Sequence, residues 1–128
     1  MARILVAEDD TAVKSFVSRA LTHRGHKVTS VDDGIQALEA LGSDSFDLLI
    51  TDIVMPSLDG IGLALKVAKD FPALPVLLMT GYSAERQRAY NLDALITDVI
   101  AKPFTLTQIC DAVDSMLERH AGPSRAAC

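Results

Sequence analysis

The chain contains no tryptophan, and aromatic residues make up only 5% of its 128 residues. Cysteine is as scarce, with Cys110 and Cys128 alone. Two cysteines are too few for the disulfide framework of a small secreted domain, and they lack metal-type spacing, so they read as free thiols in a reducing compartment. Three histidines occur, His23, His26 and His120. They fall at helix ends or a turn with no shared spacing and read as solvated side chains, not ligands. Basic residues are outnumbered, 12 Lys and Arg against 17 Asp and Glu, for a formal charge of -5. That balance argues against nucleic acid as a partner, because phosphate backbones select basic surfaces. It argues equally against an electrostatic membrane anchor. No apolar run approaches the ~20 residues a membrane span needs. MARILVAEDD turns acidic after one short run and is no signal peptide. The expected location is the cytoplasm.

What the sequence has is a core. At 49% hydrophobic and 23% charged, it suits one folded domain of ordinary size. Short apolar runs alternate with amphipathic stretches, and no repeat or linker interrupts them. The runs at 3–7, 27–31, 47–51, 75–80 and 97–101 predict five strands, bounded by turn residues. Between them, Val13, Phe16, Val17, Ala20 and Leu21 follow helical spacing up to Gly25. Ile35, Leu38 and Leu41 mark a second helix, and Ile61, Ala64, Leu65 and Ala68 a third. Residues 83–91 give a short polar helix, and Leu106, Ile109, Val113, Met116 and Leu117 the last one. Met55, Met79 and Met116 fit core positions. Five βα units in alternation imply a three-layer α/β sandwich: a flavodoxin-like (βα)5 fold with a parallel sheet in the order 2-1-3-4-5. The domain is expected over residues 1–120, with a short tail at 121–128 and no output domain.

Ligands of such folds bind beyond the carboxyl ends of the strands, where strand order reverses. There the first strand ends in Glu8-Asp9-Asp10, the third in Asp52, the fourth in Thr80 and the fifth in Lys102. The predicted order makes the first and third strands neighbours, so Glu8, Asp9 and Asp52 fall together. At an effective dielectric of about 20, two carboxylates about 4 Å apart repel by roughly 4 kcal/mol. Such a cluster needs a cation or raised pKa values. An all-oxygen, open site suits Mg2+. Lys102 and the Thr80 hydroxyl would face an anion beside Asp52. These parts describe phosphoryl transfer onto a carboxylate, with Asp52 as nucleophile.

Blander readings exist for each residue alone. An aspartate after a strand is most often a turn or cap residue, and Asp10 and Asp59 fit helix N-caps. A lone Lys102 would be a surface lysine. It is the joint placement at four strand ends that favours chemistry.

ILVAEDD, LLITDIVMPSLDG, VLLMTGYS and VIAKPF together resemble the receiver domain of two-component response regulators, over about residues 3 to 119. The resemblance implies that Asp52 takes a phosphoryl group from a phosphohistidine on a sensor histidine kinase or a histidine phosphotransferase. It implies that Asp9, Asp52 and the Val54 carbonyl ligate magnesium, that Glu8 acts through water, and that Thr80 and Lys102 sense the phosphate. Val54 and Tyr82 take positions that tune hydrolysis, and Pro103 follows the lysine with a possible cis bond. Where many receivers carry a switching Tyr or Phe, three residues before the lysine, this chain has Val99. TDIVMP, MTGYS and KPF look most like alphaproteobacterial hybrid-kinase receivers and free-standing single-domain regulators. The latter prime a ClpXP-type protease, working with the ClpX unfoldase and its substrates, until phosphorylation switches that role off. A phosphorelay intermediate or a phosphate sink for a hybrid kinase is the competing output. A phosphohydrolase of the haloacid dehalogenase type would want D-x-D where this chain has Asp52-Ile53-Val54. A flavodoxin-like electron carrier would not place Glu-Asp-Asp against a phosphate.

Overall fold

The computed structural model describes residues 2–81 and 98–126, with side chains described as far as residue 119. The helix expected at 83–91 and Tyr82 lie outside the described residues. The elements in order are β1 (Arg3–Ala7), α1 (Thr11–His23), β2 (Lys27–Val31), α2 (Gly34–Ser43), β3 (Leu48–Asp52), α3 (Gly60–Asp70), β4 (Val76–Thr80), β5 (Asp98–Ala101) and α4 (Leu106–Ala126). The five strands are all parallel, in the order β2-β1-β3-β4-β5. This is the flavodoxin-like arrangement expected.

Alternation along the strands makes two cores. Ile4 and Val6 of β1, Leu48 and Ile50 of β3, and Leu77 and Met79 of β4 meet Val17 and Leu21 of α1 and Ile109, Val113 and Met116 of α4. The intervening residues Leu5, Ala7, Leu49 and Leu78 meet Ala37 and Leu41 of α2 and Leu63, Ala64 and Val67 of α3. Each fully buried Leu or Ile side chain contributes about 2 kcal/mol. β2 is an edge strand, so Lys27, Thr29 and Ser30 remain exposed. The expected core methionines Met55, Met79 and Met116 are all buried.

The helices start where short acidic side chains can cap them. Asp10 Oδ1 accepts from the amides of Ala12 and Val13 at 2.9 and 3.1 Å. Asp33 and Asp59 do the same for α2 and α3, each at 2.8 Å. Each cap stabilises its helix by about 1 kcal/mol. α1 stops at Gly25, whose φ of 98° is the left-handed conformation that glycine adopts without strain.

Two expectations change. Phe16 is spaced like a core residue, yet it is 39% exposed and its ring lies against Phe104, 6.2 Å between centroids. Val13 and Val17 of the same helix pack against the core, whereas Phe16 lines the cavity that opens beside Asp9 and Lys102. His26 is not simply solvated. Its Nδ1 accepts from the Ala2 amide at 3.2 Å and its Nε2 faces Asp114 at 3.4 Å, because the turn into β2 passes between β1 and α4.

Candidate active site

Register builds the site. Ala7 pairs with Thr51, so the next residues, Glu8 and Asp52, leave the sheet side by side. Asp52 pairs with Met79 and Thr80 with Ala101. The Lys102 amide then donates to the Thr80 carbonyl at 2.7 Å, which brings the lysine back over the strand ends. Its peptide bond to Pro103 is cis.

Glu8, Asp9 and Asp52 each place a carboxylate oxygen within 4.8 Å of the others. Glu8 is fully buried and Asp52 nearly so, while Asp9 is exposed. Lys102 Nζ donates to Glu8 Oε1 and to Asp52 Oδ1, both at 3.0 Å. The other Glu8 oxygen accepts from the Asp10 amide at 3.1 Å. Both Glu8 oxygens are therefore engaged, which suits contact with a metal through water better than direct ligation.

One ammonium does not neutralise three carboxylates. Burial pushes the Glu8 carboxyl from its ordinary 4.5 up to about 7; Asp52 adds to the rise, against the bonds from Asp10 and Lys102. Burial pulls the Lys102 ammonium down, but its bonds to Asp52 and Glu8 outweigh that and hold its pKa above the ordinary value. The Thr80 hydroxyl is fully buried and has no hydrogen-bond partner among the described residues. A buried hydroxyl without a partner costs about 1–3 kcal/mol, so a site poised for a further acceptor explains it. An oxygen-only donor set, an excess of negative charge and an orphaned hydroxyl together fit a hard divalent cation such as Mg2+ with an oxyanion beside it.

The cluster opens into a cavity of about 860 Å³. Its acidic floor is Glu8, Asp9 and Asp52, and its apolar wall includes Val13, Phe16, Pro103 and Phe104. Val54 stands at the rim, 57% exposed, between the buried side chains of Ile53 and Met55. Those two anchors force Val54 outward. Val99 is half-buried and packs with the α2 and α3 side of the sheet.

Three residues escaped the sequence reading. Phe16 and Phe104 wall the site; the spacing of Phe16 reads only as core, and Phe104 entered only as part of the KPF motif. Thr51 could have been noticed as the polar residue that precedes Asp52 in an otherwise apolar strand; its hydroxyl donates to the Asp52 carbonyl at 2.9 Å.

The response regulator receiver domain model matches residues 4–114, and the chain belongs to that family. It is similar to the response regulator receiver protein CpdR of Brucella abortus, 38% identical over 117 residues that cover 91% of this chain and 98% of that protein. It is also 36% identical to response regulator MprA of Mycobacterium ulcerans, over 91% of this chain but only 50% of that protein. Among solved structures, NtrX of Brucella abortus superimposes with a TM-score of 0.86 at 27% identity, over 93% of this chain and 27% of that one. TrrA of Thermotoga maritima, solved with Mg2+ and BeF, gives 0.83 at 26% identity, over 91% of this chain and 99% of that one. Among the described residues no helix is long and apolar enough to cross a membrane.

Proposed function

We propose that this receiver accepts a phosphoryl group on Asp52 from a phosphohistidine of a sensor kinase or histidine phosphotransferase, and that the change in Asp52 switches a protein–protein contact in the cytoplasm. The observation that carries this reading is the pair of bonds from Lys102 Nζ to Glu8 and Asp52, beside a Thr80 hydroxyl that has no partner among the described residues. Asp52 Oδ would attack phosphorus as the P–N bond breaks, and the imidazole, protonated on its other ring nitrogen, leaves with the electron pair as neutral imidazole. Lys102 would pass from Asp52 to the phosphoryl oxygens, and Thr80 would donate to one of them. Asp9, Asp52 and the Val54 carbonyl would hold Mg2+, with Glu8 reaching it through water. Bound there, the ion would supply positive charge to offset the negative charge of the reacting groups.

Acetyl phosphate with Mg2+ tests this directly. One phosphoryl group should add to the wild type and none to Asp52→Ala; undiminished labelling of the variant would place the acceptor elsewhere. Val54 cannot orient an attacking water, so the phosphoaspartate should be long-lived; decay within seconds would refute that part. Turnover of a generic phosphate ester would point instead to a phosphohydrolase.

For the output we infer a phosphorylation-controlled adaptor of a ClpX-type unfoldase, supported by the likeness to CpdR over nearly its whole length. An adaptor should hold a protease partner as Asp52→Ala in a pulldown. A relay intermediate or phosphate sink should hold kinase-side partners only.

A further inference from the structure

A fully buried threonine in an apolar strand asks what its hydroxyl is for, since valine would fill the same space without a polar atom to satisfy. Thr51 is 0% exposed. Its Oγ1 donates to the main-chain oxygen of Asp52 at 2.9 Å, and Met55 Sδ lies 3.9 Å from the same hydroxyl. Gly60 closes on that carbonyl as well. A β-carbon on Gly60 would fall 2.0 Å from the Asp52 oxygen and 2.9 Å from the Asp52 carbonyl carbon. The Gly60 amide meanwhile donates to the Ile53 carbonyl at 2.8 Å. The Asp52–Ile53 peptide is thus bonded by one neighbour and crowded by another.

We propose that Thr51 and Gly60 are positioning residues that fix the Asp52–Ile53 peptide and, through it, the aim of the Asp52 carboxylate. The inference rests on Asp52 being the phosphoacceptor. Ile53 and Met55 are pinned in the core on the far side of that peptide. A tilt of the peptide therefore cannot be passed down the loop and is taken up at the Asp52 α-carbon. That swings the carboxylate from its place 3.0 Å from Lys102 Nζ. Displacing a nucleophile lowers the rate of the step itself, while phosphate binding through Lys102 and Thr80 is left intact.

The test is the rate of acetyl-phosphate labelling at saturating Mg2+ for wild type, Thr51→Val, Thr51→Ser and Gly60→Ala, with a thermal melt of each. Thr51→Val should lower the maximal rate about tenfold, and Thr51→Ser should stay within about twofold of wild type. The acetyl phosphate concentration for half-maximal rate should not move in either. Gly60→Ala should lower the maximal rate in the same sense; an unchanged rate removes Gly60 from the pair. A lower melting temperature with both kinetic constants unchanged would make Thr51 merely structural and overturn the proposal. Should Thr51→Val fail to fold, Thr51→Ala against Thr51→Ser decides: a rate gap supports the role, and equal rates overturn it. Wild type unlabelled at Asp52 would overturn the phosphoacceptor reading itself, whereas normal wild-type labelling with an unaffected Thr51→Val sinks this inference alone.

Discussion

The two ends of the sheet are built from the same strands and differ in how their charges are settled. At the amino ends, Arg3 meets Asp44 at 2.6 Å, its amide donates to Asp47 at 2.8 Å, and its guanidinium lies 5.6 Å over the Phe46 ring. The apolar hollow there, about 420 Å³ with Phe46, Phe71 and Leu74 in its lining, gathers no cluster of like charges. At the carboxyl ends, three carboxylates cluster, two of them share one lysine, and a buried hydroxyl has no partner among the described residues. The settled end holds the fold. The unsettled end stores unfavourable interactions that a metal and a phosphoryl group would relieve.

Three variants would break or sharpen that contrast. The largest effect is expected from Lys102→Ala, which strips both carboxylates of their cation. Labelling by acetyl phosphate should fall about a hundredfold, in line with the loss of one preorganised charge at a transition state. Metal-free stability should drop by only about 1–2 kcal/mol, because the lysine is half-buried and solvent screens part of the loss. Labelling within twofold of wild type would remove Lys102 from the chemistry.

Glu8→Gln comes next, and its sign depends on pH. The folded pKa of about 7 lies above the ordinary 4.5, so the protonated carboxyl is the form the metal-free fold favours. Its stabilisation is present in full below about 4.5 and is lost as pH rises through about 7. Without metal, the glutamine variant should therefore match wild type near pH 4.5 and exceed it by about 3 kcal/mol at pH 8. Added Mg2+ should erase the advantage by stabilising wild type more. Urea melts at the two pH values, with and without Mg2+, check each part; a variant less stable at pH 8 in chelator would refute it.

The smallest effect belongs to the settled end. Arg3→Ala removes an exposed ion pair and a ring contact and should cost under about 1 kcal/mol. Labelling should be unchanged, and a slowed rate would mean the two ends are coupled.

Much of this was legible beforehand, for a physical reason. Strands buried on both faces must be apolar throughout, so β1, β3 and β4 stand out as short runs, and a polar residue ending each run is conspicuous. That is how Glu8, Asp52 and Thr80 could be picked out from order alone, with Lys102 following the less buried β5. Their distances could not. The third strand ends one residue later than its apolar run, because Asp52 still pairs with Met79. Phe16 has core spacing, but periodicity does not say whether a given edge of a helix face meets the core or a cavity. The carbonyl contact of Gly60 depends on two loops meeting, which no local pattern encodes.

The Lys102 bonds reach across 94 residues to Glu8 and 50 to Asp52. Contacts of such separation carry the largest loop-closure entropy, and they form late in folding. On a ribosome the acidic trio would be made first, with its cation still unsynthesised. The acidic cluster would therefore gain its cation only when β5 has docked and the chain is complete through Lys102. On the proposed function, a half-made chain would lack the lysine that the phosphoryl step needs.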